Sequence, residues 1–216
     1  MRPFFIGIAG PSGSGKTELA VRVAAALGHA SVLNLDSYYL PLTHLTKAER
    51  DQCDFDSPEM LDWPVINTQL RELSEGRAIE RPVYSFETHA RKPETERLEP
   101  ARFIVVEGIF ALHDADVRAQ MNLCVYVRTP DDICFGRRMS RDVVERGRSE
   151  ASVRDQYERT VRPGAVRYVC PTERFAGLVV SGTQDIASSV RQVLSAIPPE
   201  KRLYRTLSVC RYRRAP

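Results

Sequence analysis

No C-x-x-C pair occurs in this sequence, and its five cysteines (Cys53, Cys124, Cys134, Cys170, Cys210) are odd in number and widely separated. That pattern builds neither a disulfide framework nor a zinc site and reads as reduced thiols in a reducing compartment. No apolar run approaches the roughly 18 residues of a membrane span. Met1-Arg2-Pro3 leads straight into an apolar run without the layout of a secretory signal, so a cytoplasmic location is expected. The chain also lacks an Asn-Lys-x-Asp segment, the element with which a GTPase switch selects guanine, and it has no internal repeat or low-complexity stretch.

What is present fits one α/β domain over residues 1–198 with a small insertion, followed by a basic tail at 199–216. Hydrophobic content of 43% and charged content of 27% are ordinary for a soluble globular protein. The net charge of +3 hides a split: residues 200 to 216 carry six Lys/Arg against one acid, leaving −2 for the remainder. The tail reads as a solvated or packed extension, with a nucleic-acid-binding arm as the other reading.

Gly10-Pro11-Ser12-Gly13-Ser14-Gly15-Lys16-Thr17 matches the phosphate-cradle pattern G-x-x-x-x-G-K-[ST] at each fixed position. The apolar run Phe4 to Ala9 before it predicts a buried strand, and Glu18 to Leu27 after it predicts a helix ending at Gly28. Glycines there let backbone N–H groups close around phosphate oxygens at a helix N-terminus, whose dipole favours anions. Lys16 adds a mobile positive charge near the β- and γ-phosphates. Thr17 offers a hydroxyl to a Mg²⁺ ion that arrives with the nucleotide.

Ser31 to Asp36 reads as a second buried strand ending in a carboxylate. Ligands of open α/β sheets sit beyond the carboxyl ends of strands, so Asp36 faces the phosphate loop and suits a general base that also orients a Mg²⁺-bound water; capping the following turn is the alternative. The long irregular stretch from Tyr38 to Pro64 contains Cys53-Asp54-Phe55-Asp56-Ser57-Pro58. That acid-aromatic cluster suits a sugar diol beside a stacked ring, although Asp56 could equally cap a short helix starting at Pro58. A helix follows over 64–75 with Leu70 and Leu73 inward. Residues 77–101 predict a β-hairpin insertion with strands at Ile79–Phe86 and Thr95–Leu98, whose tip region gathers Tyr84, Phe86, His89 and Arg91 for contact with a nucleobase.

Phe103 to Ile109 is the clearest buried strand, and its acid, Glu107, lies across the crevice from Lys16, where it suits the Mg²⁺ shell. Leu123 to Val127 and Gly177 to Val180 complete five strands, and the βαβ alternation predicts a doubly wound parallel sheet with helices on both faces. Between them, residues 130–150 form an arginine-rich segment. Arg137, Arg138 and Arg141 share a helix face and repel one another unless an anion meets them, as a phosphate would under a closing lid; Gly147 offers the hinge. Helices are predicted over 150–168, despite Pro163, and over 184–197.

Taken in order, the phosphate loop, Leu35-Asp36-Ser37-Tyr38-Tyr39, Phe55-Asp56, Pro82 to His89, Val106-Glu107-Gly108-Ile109, Arg137 to Asp142, Glu145-Arg146-Gly147-Arg148 and Gln156-Tyr157 resemble the uridine kinase family, also called uridine-cytidine kinase, from about Pro3 to Gly182. The resemblance implies a P-loop kinase fold and phosphorylation of the 5′-hydroxyl of uridine or cytidine by ATP or GTP with Mg²⁺. It implies Asp36 as general base, Lys16 as phosphate ligand, and Thr17 and Glu107 as Mg²⁺-shell groups. Asp56 and Arg138 would hold the ribose hydroxyls, Tyr84, Phe86 and His89 would read the base, and Arg148 and Gln156 would complete the nucleoside pocket. Arg141 and Arg146 would serve the lid and phosphates. The resemblance also implies a homotetramer.

Phosphoribulokinase-like and pantothenate kinase-like enzymes are the neighbouring alternatives, because this loop reads Gly-Pro-Ser-Gly-Ser-Gly where the family often has Gly-Gly-Ser-Ala-Ser-Gly. The hairpin argues against both. A nucleic-acid-associated ATPase would need positive charge beyond one lid-like segment and the tail.

Overall fold

Six consecutive buried residues, Phe4–Ala9, form β1 at the centre of a five-stranded parallel sheet in the order β2-β5-β1-β6-β7. The other strands are β2 (Ala30–Asn34), β5 (Phe103–Glu107), β6 (Leu123–Arg128) and β7 (Leu178–Ser181). The computed structural model describes residues 2–202, so most of the basic tail lies outside the described residues. Its beginning, Pro199–Arg202, is helical.

Side chains alternate across β1 as a strand requires. Phe5 and Ala9 pack with Ile104 and Val106 of β5 and with α3 (Trp63–Ser74) on one face. Phe4, Ile6 and Ile8 pack on the other face against α1 (Lys16–Leu27) and a late helix, Ile186–Ala196. After β1 the chain crosses to β2 on one side, and later places β6 on the other. The carboxyl end of β1, where the phosphate loop begins, is therefore the point at which the winding reverses and a crevice opens.

Several expected strand bounds differ, among them that of β5, which ends at Glu107 rather than Ile109. β2 stops at Asn34 rather than Asp36, and only Leu33 along it is fully buried, because β2 is a sheet edge. In the separate antiparallel hairpin, β3 is Ile79–Ser85 and β4 is Ala90–Leu98, so the second strand starts five residues before the expected Thr95. Arg91 to Glu94 are polar and include Pro93, which a strand tolerates where its face is exposed. Arg91 itself turns from the cleft to anchor the hairpin: its guanidinium donates to the Tyr39 carbonyl at 2.7 Å and to the Tyr38 carbonyl at 2.9 Å.

The remaining helices are α2 (Lys47–Arg50), α4 (Ala115–Gln120), α5 (Asp131–Val144) and α6 (Glu150–Gln156). The helix from Glu150 runs on past Pro163 through a π-helical turn at Tyr157–Val161, a short α-helical piece at Arg162–Gly164, a second π-turn at Ala165–Val169 and a 3₁₀ stretch at Cys170–Phe175. The wide turns on either side absorb the missing N–H and the ring of the proline. No helix among the described residues is long and apolar enough to cross a membrane.

Candidate active site

The phosphate loop joins β1 to α1 as expected. Gly13 sits at φ +83°, and a Cβ there would lie 2.3 Å from the Cys134 carbonyl oxygen of α5, so both conformation and space require glycine. Lys16 is buried at the start of α1. Beside it the Thr17 hydroxyl donates to Glu107 Oε2 at 3.3 Å. Glu107 is 1% exposed, and burial pushes its carboxyl from the ordinary 4.5 up to about 7; Lys16 opposes that rise and Asp36 adds to it.

Asp36 lies just past the end of β2, on a 3₁₀ turn over Leu35–Tyr38. The cap of that turn is Asn34, whose side chain accepts the Asp36 N–H at 2.7 Å, so the Asp36 carboxylate is not spent as a cap. Likewise Ser57, not Asp56, occupies the cap position of the short helix at Pro58–Met60. The Asp56 carboxylate is buried instead against the irregular helix, where Thr160 Oγ1 donates to Oδ2 at 3.3 Å. Burial raises its pKa, with the Arg138 guanidinium opposing.

Arg138 bridges the two halves of the site: it donates to Ser12 Oγ of the phosphate loop and to Gln156 Oε1, each at 2.9 Å. Arg148 donates to the same amide oxygen. From the other side come the rings. His89 stacks on Phe55 with centroids 4.9 Å apart at 19°, and Tyr84 packs against Tyr39 and Phe86. The Tyr84 hydroxyl and His89 Nδ1 are buried without a hydrogen-bond partner among the described residues. Burial holds the His89 imidazole below its ordinary pKa, with Asp51 opposing, so it faces the cleft neutral at pH 7.

These groups share one cleft, lined by Ser12, Lys16 and Thr17 on the loop side, by Asp36 and Asp56, by Tyr84, Phe86 and His89, and by Arg138, Arg141, Arg146, Arg148 and Gln156. Gly10, Pro11, Gly13, Ser14 and Gly15 form the turn behind it. Among the described residues no three His, Cys, Asp or Glu side chains gather as a metal site. Thr17, Glu107 and Asp36 are nonetheless hard oxygen donors, and so small a set fits Mg²⁺, which keeps waters and takes phosphate oxygens for most of its shell.

The arginine segment departs from expectation in one respect. The anion that meets the guanidinium groups is internal: Asp142, 0% exposed, lies 2.8 Å from Arg141, 3.4 Å from Arg146, 3.5 Å from Arg138 and 3.6 Å from Arg148. Arg137 leaves this cluster and reaches the Ser14 carbonyl at 3.4 Å.

Sequence reasoning also missed a second cleft of about 290 Å³ on the far side of the loop, where Ser14 and Gly15 face Gly182, Gln184, Ile186 and Ser189. Gly182, directly after the last strand, was the available signal. A Cβ there would lie 2.3 Å from the Ser14 carbonyl oxygen.

Comparison with known proteins identifies the family. The model of the phosphoribulokinase/uridine kinase family matches residues 5–188. The uridine kinase of Lactobacillus johnsonii is 41% identical over 206 residues, 91% of this chain and 98% of that protein. The uridine kinase of Serratia proteamaculans is 44% identical over 181 residues, 81% of this chain and 85% of that protein. Among solved structures, phosphoribulokinase from Rhodobacter spheroides superposes with a TM-score of 0.60 at 15% identity, covering 85% of this chain and 73% of that one, a likeness of fold alone. A match spanning the phosphate loop, the hairpin and the arginine segment places the chain in a family: it belongs to the phosphoribulokinase/uridine kinase family.

Proposed function

We propose that this protein is a nucleoside kinase that transfers the γ-phosphoryl group of ATP or GTP to the 5′-hydroxyl of uridine or cytidine. The observation that carries the reading is one cleft that Lys16, Thr17 and Asp36 share with Asp56, Arg138 and two atoms that lack a hydrogen-bond partner among the described residues, Tyr84 OH and His89 Nδ1. A phosphate site alone would need neither the aromatic wall nor the second acid.

The donor phosphates lie along the loop, with Lys16 at the β- and γ-phosphates and the donor base in the cleft beyond Ser14 and Gly15. The nucleoside enters between hairpin and sheet. Asp56 and Arg138 take its ribose hydroxyls, while Tyr84, Phe86 and neutral His89 meet the base, as a ring and a donor-acceptor pair suit a pyrimidine. Arg148 and Gln156 close that pocket. Asp36 accepts the proton of the attacking hydroxyl as the new O–P bond forms and the β–γ bridging bond breaks, leaving ADP or GDP. Arg141 and Arg146, on the segment hinged at Gly147, stabilise the charge spread over the transferring oxygens and exclude water. Thr17, Glu107 and Asp36 would hold Mg²⁺, which supplies charge neutralisation at the phosphates when bound.

The test is Asp36→Asn. ATP binding by calorimetry remains within about twofold, while kcat falls by about 10²-fold or more, the usual worth of a general base. Near-full turnover in this variant removes Asp36 from that role.

A further inference from the structure

The face of the irregular helix turned towards Asp56 carries two residues that no role above uses. Thr160 follows Gln156 by four residues and precedes Gly164 by four, so the three lie along one side of the helix. Gln156 receives Arg138 and Arg148. Thr160 Oγ1 divides its single proton between Asp56 Oδ2 at 3.3 Å and the Gln156 carbonyl at 3.2 Å. Gly164 has an ordinary helical φ of −62°, so its glycine is required by space and not by conformation. A Cβ there would sit 2.7 Å from the Asp56 carbonyl oxygen and 2.8 Å from Asp56 Cβ.

We infer that Thr160 and Gly164 are positioning residues that fix the Asp56 carboxylate and thereby set the preference for a ribose over a 2′-deoxyribose acceptor; this rests on the assignment of Asp56 to the ribose hydroxyls. The physical argument begins with burial. Asp56 is 7% exposed, so the groups that steer its carboxylate are few. Asp54 Oδ1 accepts the Asp56 N–H at 3.0 Å and holds the backbone from the other side. Arg138, the nearby cation, acts on Asp56 through its charge, while its side-chain hydrogen bonds go to Ser12 and Gln156. Thr160 is left as the neutral donor that selects which carboxylate oxygen is engaged and which is free for a ligand hydroxyl. The approach that makes this contact possible depends on the missing Cβ at Gly164, one helical turn along.

The chemistry predicts a signature that loss of folding does not produce. A carboxylate with a fixed free oxygen rewards a vicinal diol more than a lone hydroxyl, because the second hydrogen bond is formed only if the oxygens stay in place. When the carboxylate rotates, the diol loses its advantage while the single hydroxyl adapts. The effect therefore lies in the ratio of two substrates measured on one preparation, where a change in the folded fraction cancels.

The experiment compares kcat/KM for uridine and 2′-deoxyuridine in wild type, Thr160→Val, Thr160→Ser, Gly164→Ala and Asp56→Asn. Thr160→Val, which keeps the shape and removes the hydroxyl, should lower the uridine to deoxyuridine ratio about fivefold, close to 1 kcal/mol, mainly through the KM for uridine. Thr160→Ser should restore the wild-type ratio, and Gly164→Ala should lower it. Asp56→Asn separates the two levels of the argument. If that variant loses the preference while Thr160→Val retains it, the positioning role is wrong and the role of Asp56 stands. If Asp56→Asn keeps the preference, both fall.

Discussion

The guanidinium of Arg146 lies 4.1 Å from the ring centre of Phe86, so the arginine segment touches the tip of the hairpin across the mouth of the cleft. Neither residue is deeply buried: Phe86 is 38% exposed. The contact joins the element assigned to phosphates with the element assigned to the nucleobase.

A double-mutant cycle on this pair, Phe86→Leu with Arg146→Lys, should give a coupling of about 0.5–1 kcal/mol in kcat/KM for the nucleoside, the range of an exposed cation–π contact. Additive losses, with no coupling, would show that the two elements act separately.

Glu107 carries a pH prediction whose direction follows from its burial. Its carboxyl titrates near 7 in the folded protein and near 4.5 when unfolded, so between those values the folded state holds a proton that the unfolded state has lost. Stability of the nucleotide-free protein therefore falls as pH rises from about 4.5 through neutrality. Glu107→Gln removes this slope: denaturant unfolding should show the variant gaining on wild type between pH 5 and pH 8. Parallel stability curves would contradict the raised pKa. Calorimetry of Mg·ATP binding at pH 6.5 should further detect proton release that Glu107→Gln lacks.

Asp142 balances four guanidinium groups from full burial. Asp142→Asn should destabilise the nucleotide-free protein by about 3 kcal/mol, because the arginines lose their internal counter-charge. Inorganic phosphate or ATP should then raise the melting temperature more in the variant than in wild type, since the ligand replaces the lost anion. An equal shift in both would mean that the arginines do not face the phosphate site.

The sheet was legible because β1, β5 and β6 are apolar runs and their burial follows from a central place in a parallel sheet. The edge strand β2 and the separate hairpin were less so. β2 ends before Asp36 because the chain turns there into a capped 3₁₀ segment, and no change in hydrophobicity marks that turn. The first half of β4 hid behind Arg91-Lys92-Pro93-Glu94, a sequence that fits a strand because Lys92, Pro93 and Glu94 stand in solvent while Arg91 is held by the Tyr38 and Tyr39 carbonyls. The helix across Pro163 was correctly expected, yet its two π-turns were not, since they answer a local backbone conflict that leaves no periodic trace.

Among the residues assigned to ligands, many announced themselves by type and position: a lysine in a glycine loop, acids after strands, aromatics at a hairpin tip; Gln156 did not, and came only from the family resemblance. The residues that hold those residues did not. Asp142 is one acid in an arginine-rich run, and Thr160 meets Asp56 across 104 positions of sequence. Such partners become visible only when the helix carrying one is packed against the loop carrying the other.

The central claim is the acceptor, and the most direct measurement of it is ADP release with ATP and Mg²⁺ against uridine, cytidine, adenosine, ribulose 5-phosphate, pantothenate and single-stranded RNA. Turnover with uridine or cytidine and none with the other four is the predicted result. Silence with both pyrimidine nucleosides, or stimulation by another member of the panel in their place, would contradict it.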